Sequence, residues 1–371
     1  MLYFKKLFYT KPAMITPNKV NETLRKIEIP YLGADLLSAG VIQNVDCKEG
    51  LLKLQILLNF LSKTVQGIVK ERVLEAFLEF SGLNIAVEVK GKVWSHASSS
   101  LPPRPGIKNI LAIGSGKGGV GKSTVAVNLA LSLAKEGCSV GLLDADIYGP
   151  SLPRMLGTHG QKVAVQNNKM IPFESHGIRT LSIGHLIEAD TPVIWRGPML
   201  SGALMQLLDE TLWGNLDYLI FDLPPGTGDI QLTMAQKIPV SGAVIVTTPQ
   251  EVAIQDALKS FRMFEKVKVP ILGIVENMST HICTNCQQVE TIFGQGGGRK
   301  MAKALHVPLL GELPLAKEIC EKEDVGEPPS SAHEGIYQAL FLEMALSLVA
   351  ELSKRPRQVQ KIASTLVIDN E

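Results

Sequence analysis

The chain has 371 residues, of which 45% are apolar, and its 37 basic and 36 acidic residues leave a formal net charge of +1. This length favours two domains, and the balanced charge excludes a global field that would draw the protein to nucleic acid or to an anionic membrane. The five cysteines are too sparse for a disulfide framework and indicate a reducing, cytoplasmic setting. The N-terminal residues do not predict a secretory signal, although their lack of acids leaves an organellar transit peptide open.

A small α+β domain is predicted for residues 19–94. Two strand-like runs between Val41 and Asn59 flank a turn, and a further strand is expected at residues 84–89. The helix between them carries apolar residues at three- and four-residue spacing, at Val65, Ile68, Val69, Val73, Phe77 and Phe80, and we expect it to stop by Gly82. The Ser- and Pro-rich residues 95–106 are typical of an interdomain linker.

The remainder predicts an α/β domain with a parallel sheet over residues 107–354. Nearly continuous apolar runs, as expected of strands covered on both faces, alternate with helical stretches. These runs are Ile110–Ile113, Val140–Leu143, Tyr218–Phe221, Ala243–Thr247 and Ile271–Val275. A final helix is expected from about Glu334 to Leu352, followed by a polar, frayed tail over residues 355–371.

A glycine-rich loop follows the first of these strands and precedes a helix. It matches GxxxxGK[ST] and comprises Gly116, Lys117, Gly118, Gly119, Val120, Gly121, Lys122 and Ser123, followed by Thr124. Its backbone N–H groups are expected to surround the phosphates of ATP at the positive end of the helix. Lys122 is predicted to hold the β- and γ-phosphates, and the Ser123 hydroxyl to ligate Mg²⁺. This context predicts a P-loop ATPase.

Three carboxylates lie at predicted strand ends, where α/β proteins bind ligands. Asp144 and Asp146 end one strand, and either side chain could instead cap the next turn. Asp222 ends a Leu-Ile-Phe-Asp strand that has the form of a Walker B segment, so we expect it to serve Mg²⁺. The following Pro-Pro-Gly-Thr-Gly-Asp loop suits a γ-phosphate sensor, with Gly226 as the sensing residue. Thr227 and Asp229 could equally satisfy the turn.

A single CxxC pair, Cys283 and Cys286, has the spacing for one metal ion or cluster. One chain supplies two thiolates where zinc or a four-iron cluster takes four ligands, and a two-fold dimer would supply the others. Three alternatives therefore remain open for the pair: it binds a cluster, it binds zinc, or it binds no metal. His281 is expected to be a neighbour, and Cys138 and Cys320 to be packing residues.

The loop KGGVGKST resembles the deviant Walker A loop of the MinD/Mrp/ParA class. That resemblance implies a dimer in which Lys117 reaches the nucleotide across the interface. It also implies that Asp146 positions or activates the attacking water, with Asp144 in support. Asn277 matches the position at which this class hydrogen-bonds adenine, although it could be only a turn residue.

Several segments together resemble the Mrp/ApbC-type iron–sulfur cluster carriers over about residues 105–352. These are KGGVGKST, DADIYGPSLPRMLG, Trp195-Arg196-Gly197-Pro198, FDLPPGTGD, and ENMS followed by CTNC and FGQGGG. The resemblance implies an ATP-dependent scaffold that binds a 4Fe-4S cluster through Cys283 and Cys286 across a homodimer and transfers it to apoproteins. It also implies iron–sulfur assembly factors as partners. A MinD- or ParA-like positioning ATPase and an electron-transferring iron protein are the competing hypotheses. Neither a nucleic-acid nor a membrane partner is expected, because basic patches and a long amphipathic stripe are lacking.

The N-terminal region resembles the MIP18-like domain, with departures. Glu28-Ile29-Pro30 stands in place of the expected Asp-Pro-Glu, and Asn59-Phe60-Leu61-Ser62 lacks the expected cysteine before the helix. Cys47 lies earlier, in the preceding hairpin. The region is therefore a degenerate member, for which docking or client recognition is the expected role.

Overall fold

The computed structural model describes residues 15–48, 50–96, 101–146, 149–186, 197–226, 228, 231–232 and 236–358. Its N-terminal unit starts with helix α1 (Pro17–Leu24) and the paired strands β1 (Glu28–Ile29) and β2 (Ala34–Asp35). A three-stranded sheet follows, formed by β3 (Ile42–Lys48), β4 (Leu51–Leu58) and β5 (Asn84–Gly91), with helix α2 (Lys63–Ala76) between β4 and β5. Strand β4 pairs antiparallel with β3 and parallel with β5. The predicted strands and helix of this region are therefore present.

Helix α2 is shorter than its apolar pattern predicted. Val65, Val69 and Val73 are buried on one face as expected, but the helix ends at Ala76 and Phe80 lies in the turn beyond it. Phe77 is buried beside this end, where its ring lies 5.7 Å from that of Phe80. The chain stops the helix early because it must reverse to place β5 alongside β4.

The second unit contains an eight-stranded sheet in the order β10-β11-β7-β12-β6-β13-β14-β17. All of its neighbouring strands are parallel except the pair β10 and β11. The strands are β6 (Ile107–Ser115), β7 (Val140–Asp144), β10 (Phe173–Ser175), β11 (Ile178–Ser182), β12 (Leu216–Asp222), β13 (Gly242–Thr247), β14 (Ile271–Glu276) and β17 (Leu309–Glu312). The predicted parallel α/β fold and its five central strands are confirmed. Strands β10, β11 and β17 had no comparable sequence signal because each is short and includes polar residues.

Helices cover both faces of this sheet. They are α3 (Lys122–Lys135), α4 (Leu152–Met155), α5 (Gly197–Asp209), α6 (Glu251–Lys266), α7 (Gly297–Leu305), α8 (Lys317–Asp324) and α9 (Ile336–Ser353). Two short hairpins are also present, β8 (Val165–Gln166) with β9 (Lys169–Met170), and β15 (His281–Ile282) with β16 (Val289–Glu290). Within the described residues, α9 alone has the length and composition of a membrane span, but half of it is buried and it packs on α3, as a core helix does.

The two units meet at the end of the P-loop helix. The buried Glu136 carboxylate, just after α3, accepts hydrogen bonds from the Ser62 hydroxyl at 2.5 Å and from the backbone N–H and hydroxyl of Thr64 at 2.9 and 2.8 Å. Ser62 also caps α2 by accepting from the Val65 N–H. A negative charge therefore lies at the N-terminus of α2, where the helix dipole favours it.

The ends of the predicted linker and tail are docked. The His96 N–H donates to the Asn109 Oδ1 at 2.9 Å, and the Gln358 N–H donates to the Ser95 carbonyl at 2.8 Å. Arg357 lies over the ring of Trp94 with 4.2 Å to the centroid. The expectation of a frayed tail is therefore wrong for residues 355–358, because both chain segments contribute polar groups that satisfy one another. The boundaries at 95–106 and 355–371 stay predictions.

Candidate functional site

The glycine-rich loop joins the carboxyl end of β6 to α3, as the sequence predicted. Gly119 and Gly121 have φ angles of 76° and 80°, a left-handed conformation that favours glycine. Gly121 also precedes the first helical residue, Lys122. The loop forms one wall of a cavity of about 660 Å³ at the sheet edge. Its lining includes Lys117, Gly118, Gly119, Gly121, Lys122, Ser123, Thr124 and Asp146.

Gly116 is placed outside that lining. A Cβ atom there would lie 2.1 Å from the backbone carbon of Asp256, so this glycine permits close packing of the loop on α6. Val120 is also absent from the wall and is buried. Their packing shapes the loop from the side away from the cavity, and their predicted part in binding the cofactor stays a prediction.

Lys122, Ser123 and Asp222 converge at the floor of the cavity. The Lys122 Nζ donates to the Asp222 Oδ1 at 2.6 Å, and the Ser123 hydroxyl donates to the Asp222 Oδ2 at 2.5 Å. The Asp146 Oδ2 lies 3.8 Å from the same Lys122 Nζ. A hydroxyl and a carboxylate oxygen side by side are ligands that Mg²⁺ prefers, so this pair fits the predicted ion. The parallel pairing of β12 with β6 brings these residues together from distant parts of the chain.

Asp144 lies behind Asp146 and not in the cavity wall. Its Oδ1 accepts from the Asp146 N–H at 3.0 Å, and its Oδ2 accepts from the Leu152 N–H and the Ser182 hydroxyl. Burial, followed by repulsion from Asp222, raises the pKa of the Asp144 carboxyl to about 7. Both oxygens hold the loop that carries Asp146, which agrees with the supporting role expected of Asp144, and its contact with the cofactor stays a prediction.

Lys117 and Gly226 have protein partners of their own. The Lys117 Nζ donates to the Gln250 Oε1 at 3.2 Å, at the start of α6. The Gly226 N–H donates to the Ser115 carbonyl at 2.9 Å, and its φ of 97° requires a glycine. The side chain of Lys117 would have to leave Gln250 to reach a second copy. Thr227 and Asp229, like Ile147, Tyr148, Trp195 and Arg196, lie outside the described residues.

Asn277 braces the P-loop. Its Nδ2 donates to the Val120 carbonyl at 2.9 Å, and its Oδ1 accepts from the Met278 N–H at 2.9 Å. A Cβ atom added at Gly121 would lie 2.0 Å from that Nδ2. The side-chain amide therefore contacts the loop, and the adenine contact stays a prediction.

Helix α8 supplies cavity residues that the sequence did not indicate. The Glu323 carboxylate accepts from the Thr124 hydroxyl at 2.7 Å and from the Asn128 Nδ2 at 2.9 Å. Burial raises the pKa of the Glu323 carboxyl to about 7. Cys320 is exposed and lines the same cavity, so its prediction as a packing residue is wrong. No motif marks these positions, because α8 reads as an ordinary charged surface helix, KEICEKED.

The cysteine pair occupies the tip of the hairpin formed by β15 and β16. The Cys283 N–H donates to the Gln288 carbonyl at 3.0 Å, and the Gln287 N–H donates to the Cys283 carbonyl at 2.9 Å. Hydrogen bonds from the Cys286 and Asn285 backbone N–H groups and from the Cys286 side chain lower the pKa of the Cys283 thiol. The tight turn therefore brings both cysteines together and favours the thiolate.

The other cysteines and the glycine-rich segment lie apart from this turn. Cys138 is buried as predicted, and its thiol donates to the Leu61 carbonyl at 3.6 Å. His281 contacts the Leu315 carbonyl through its Nδ1 at 3.1 Å, which agrees with the role of a neighbour. Gly297 and Gly298 begin helix α7, so the end of the FGQGGG segment is helical. Among the described residues, no cluster of three or more His, Cys, Asp or Glu side chains could hold a metal.

The parallel sheet, the strand–glycine loop–helix unit and the convergence of Lys122, Ser123 and Asp222 define a P-loop NTPase that hydrolyses ATP. Residues 106–349 match the ParA family, described as NUBPL iron-transfer P-loop NTPase. The chain belongs to this family.

Its relatives agree with that assignment. The iron-sulfur cluster carrier protein of Salmonella typhimurium is 48% identical over 335 residues, which are 89% of this chain and 90% of the relative. The protein of the same name from Deinococcus radiodurans is 43% identical and covers 90% of this chain and 94% of the relative. A solved nucleotide-binding protein from Archaeoglobus fulgidus in complex with ADP, with cobalt found by PIXE, shares 38% identity at a TM-score of 0.56. That match covers 63% of this chain and 92% of the solved chain.

Proposed function

We propose that this protein is an ATP-dependent iron–sulfur cluster carrier that binds a 4Fe-4S cluster across a homodimer and transfers it to apoproteins. The observation that carries the proposal is the hairpin at Cys283 and Cys286, where two adjacent thiols are presented at the surface of an ATPase. Backbone donors favour the thiolate of Cys283, and a thiolate is the form that ligates iron. The names of the relatives from Salmonella typhimurium and Deinococcus radiodurans support the same cargo.

A second copy of the chain completes the cluster site in this proposal. One hairpin offers two thiolates, whereas a 4Fe-4S cluster takes four. Apolar side chains around the hairpin are exposed, at 42% for Ile282, 60% for Val289 and 54% for Ile292. An isologous dimer would bury these side chains and bring the two cysteine pairs to one axis. The exposed apolar surface therefore supports a dimer at this hairpin.

ATP hydrolysis is assigned to the P-loop residues. Lys122 neutralises the β- and γ-phosphates, Ser123 and Asp222 hold Mg²⁺, and Asp146 orients the attacking water. When bound, Mg²⁺ offsets the negative charge of the transferred phosphoryl group. Asp144 keeps Asp146 in place. Lys117 is assigned to the nucleotide of the partner subunit, with Gln250 as its resting acceptor.

The proposal places the protein in the cytoplasm, among apoprotein recipients and iron–sulfur assembly factors. It assigns the N-terminal unit to the recognition of those proteins. That unit contributes no cysteine to the hairpin, because its one cysteine, Cys47, lies exposed on β3. We assign neither a nucleic-acid nor a membrane partner.

Iron and acid-labile sulfide per dimer, after anaerobic reconstitution, test the proposal. The wild-type dimer is expected to hold about four of each. The Cys283→Ala/Cys286→Ala double variant should hold neither, while the matched double variant Cys47→Ala/Cys320→Ala should load as wild type. Absence of iron and sulfide from a folded wild-type protein that hydrolyses ATP would refute the carrier function. Zinc at the pair would identify a structural metal site, and ATP-dependent sedimentation with liposomes or DNA would favour a positioning ATPase.

A further inference from the structure

The buried Glu276 side chain joins the two ends of the segment that carries the cysteine pair. Glu276 is the last residue of β14 and is 1% exposed. Its Oε1 accepts from the Ser279 hydroxyl at 2.9 Å, and its Oε2 accepts from the Gly298 N–H at 2.5 Å. Ser279 precedes the hairpin and Gly298 follows it. One carboxylate therefore closes the base of the whole cysteine segment.

The fit around this carboxylate is close. A Cβ atom at Gly298 would lie 2.9 Å from the Glu276 Cβ, so only glycine lets the two backbones approach. Gly298 lies in the first turn of α7, whose N-terminus favours a negative charge. The same turn places Gly297 against the Pro249 carbonyl, where a Cβ would lie 2.6 Å away. The second end of the segment is thus fixed by sterics as well as by the hydrogen bond.

The next residue connects this base to the phosphate loop. Asn277 holds the Val120 carbonyl through its Nδ2, while its own N–H donates to the Thr247 carbonyl at 2.8 Å. Consecutive residues of an extended chain point to opposite sides. Glu276 accordingly contacts the cysteine segment and Asn277 contacts the P-loop. The residue after them, Met278, has a left-handed φ of 58°, held by its N–H bond to the Asn277 Oδ1.

A second connection runs through the chain after β17. The Ser279 N–H donates to the Leu313 carbonyl at 2.9 Å, and the Leu315 N–H donates to the Thr280 carbonyl at 2.7 Å. This stretch leads directly into α8, whose Glu323 accepts from the Thr124 hydroxyl in the nucleotide cavity. The first leg of the hairpin is therefore hydrogen-bonded to a segment that ends at the nucleotide site.

We propose that Glu276 is a positioning residue that couples the nucleotide state of the P-loop to the geometry of the cysteine pair. This inference rests on the proposed carrier function and deepens it. Binding of ATP at the P-loop displaces the Val120 carbonyl, and Asn277 transmits that displacement to the base of the hairpin. Glu276 converts it into a change in the accessibility of both thiols. Such coupling requires that ATP bind one arrangement of the base more tightly than the other.

The test uses the full chain without a cluster, carrying Cys47→Ser and Cys320→Ser so that the CxxC pair supplies the exposed thiols. The measured quantity is the rate at which Cys283 and Cys286 react with Ellman's reagent, with and without the magnesium complex of a non-hydrolysable ATP analogue. We expect the nucleotide to change this rate by at least about fivefold, which corresponds to the lower end of the coupling free energies that are typical between two sites. Glu276→Met retains the approximate length of the side chain but removes both carboxylate oxygens that accept from Ser279 and Gly298. In this variant the ratio should fall to about one, with nucleotide affinity within about threefold of the reference.

Matched variants separate coupling from folding. Glu265→Met makes the same change at an exposed residue of α6 and should leave the ratio unchanged. Ser279→Ala removes only one of the two bonds, so it should lower the ratio partly and gives a test if Glu276→Met does not fold. A nucleotide-independent rate in the reference chain, or a full ratio in folded Glu276→Met or in Ser279→Ala, would overturn the coupling. Iron and sulfide content is measured separately on the same chains, so its absence would refute the cargo without altering the thiol result.

Discussion

Replacing Glu323 by glutamine removes a buried acid from the wall of the nucleotide cavity. The carboxyl accepts from Thr124 and Asn128, and burial raises its pKa from 4.5 to about 7. Glutamine has the same shape as the protonated acid, with one donor and one acceptor group. Its amide can donate to the Thr124 hydroxyl and its oxygen can accept from the Asn128 amide. The variant therefore keeps the contacts and loses only the ability to ionise.

The sign and size of the effect follow from the raised pKa. Below about pH 4.5 the acid is protonated in both the folded and the unfolded chain, so it has no pH-dependent effect. As the pH rises, the unfolded chain releases its proton first, and the stability of the wild-type protein falls until about pH 7 and then stays lowered. The full difference is about 3 kcal/mol. Glu323→Gln should consequently be more stable than wild type by about 3 kcal/mol at about pH 8.5, and by about 1 kcal/mol at about pH 5.5.

Urea unfolding at these two pH values measures the difference. Comparing the two proteins at both pH values cancels the contributions of all other titrating groups, Asp144 included. Glu321→Gln is the control, since it makes the same change at an exposed side chain of α8 and should shift stability by no more than about 0.5 kcal/mol. A Glu323→Gln protein whose stability equals that of wild type at both pH values would show that burial does not raise the pKa of this carboxyl.

Three further substitutions test the site and its supports. Asp146→Asn should lower kcat by about 100-fold or more with little change in KM, because the water loses its orienting carboxylate, and an unchanged kcat would remove Asp146 from the mechanism. Gly121→Ala places a Cβ 2.0 Å from the Asn277 Nδ2, at a residue with a left-handed backbone, so ATP affinity measured by calorimetry should fall. The control Gly202→Ala adds its Cβ in open space on α5 and should leave ATP affinity unchanged. Glu136→Ala leaves the Ser62 hydroxyl and the Thr64 N–H without their acceptor and should cost about 2 kcal/mol in thermal unfolding. An effect smaller than about 0.5 kcal/mol would show that the contact between the two units contributes little.

Local sequence was enough to predict the chemistry of the nucleotide site. The P-loop is a continuous stretch whose function depends on its own backbone, so strand, glycines, lysine and serine could be recognised together. Asp222 was predictable for a similar reason, since it ends an apolar strand whose partner carries the loop. The cysteine pair was likewise visible because its two thiols are three residues apart in one tight turn.

The tertiary structure alone decided which side chains act through others. Asp144 and Asp146 look equivalent in sequence. The pairing of β7 with β11 brings the Ser182 hydroxyl to the Asp144 carboxylate, which therefore lies outside the cavity wall. Asn277 and Glu323 contact the P-loop and its helix from far along the chain. Hydrogen bonds between such distant residues depend on how the sheet is ordered and how the helices pack on it, and no local pattern records that order. Sequence therefore determined the reactive groups of this protein, and the packing of distant elements determined how they are held and connected.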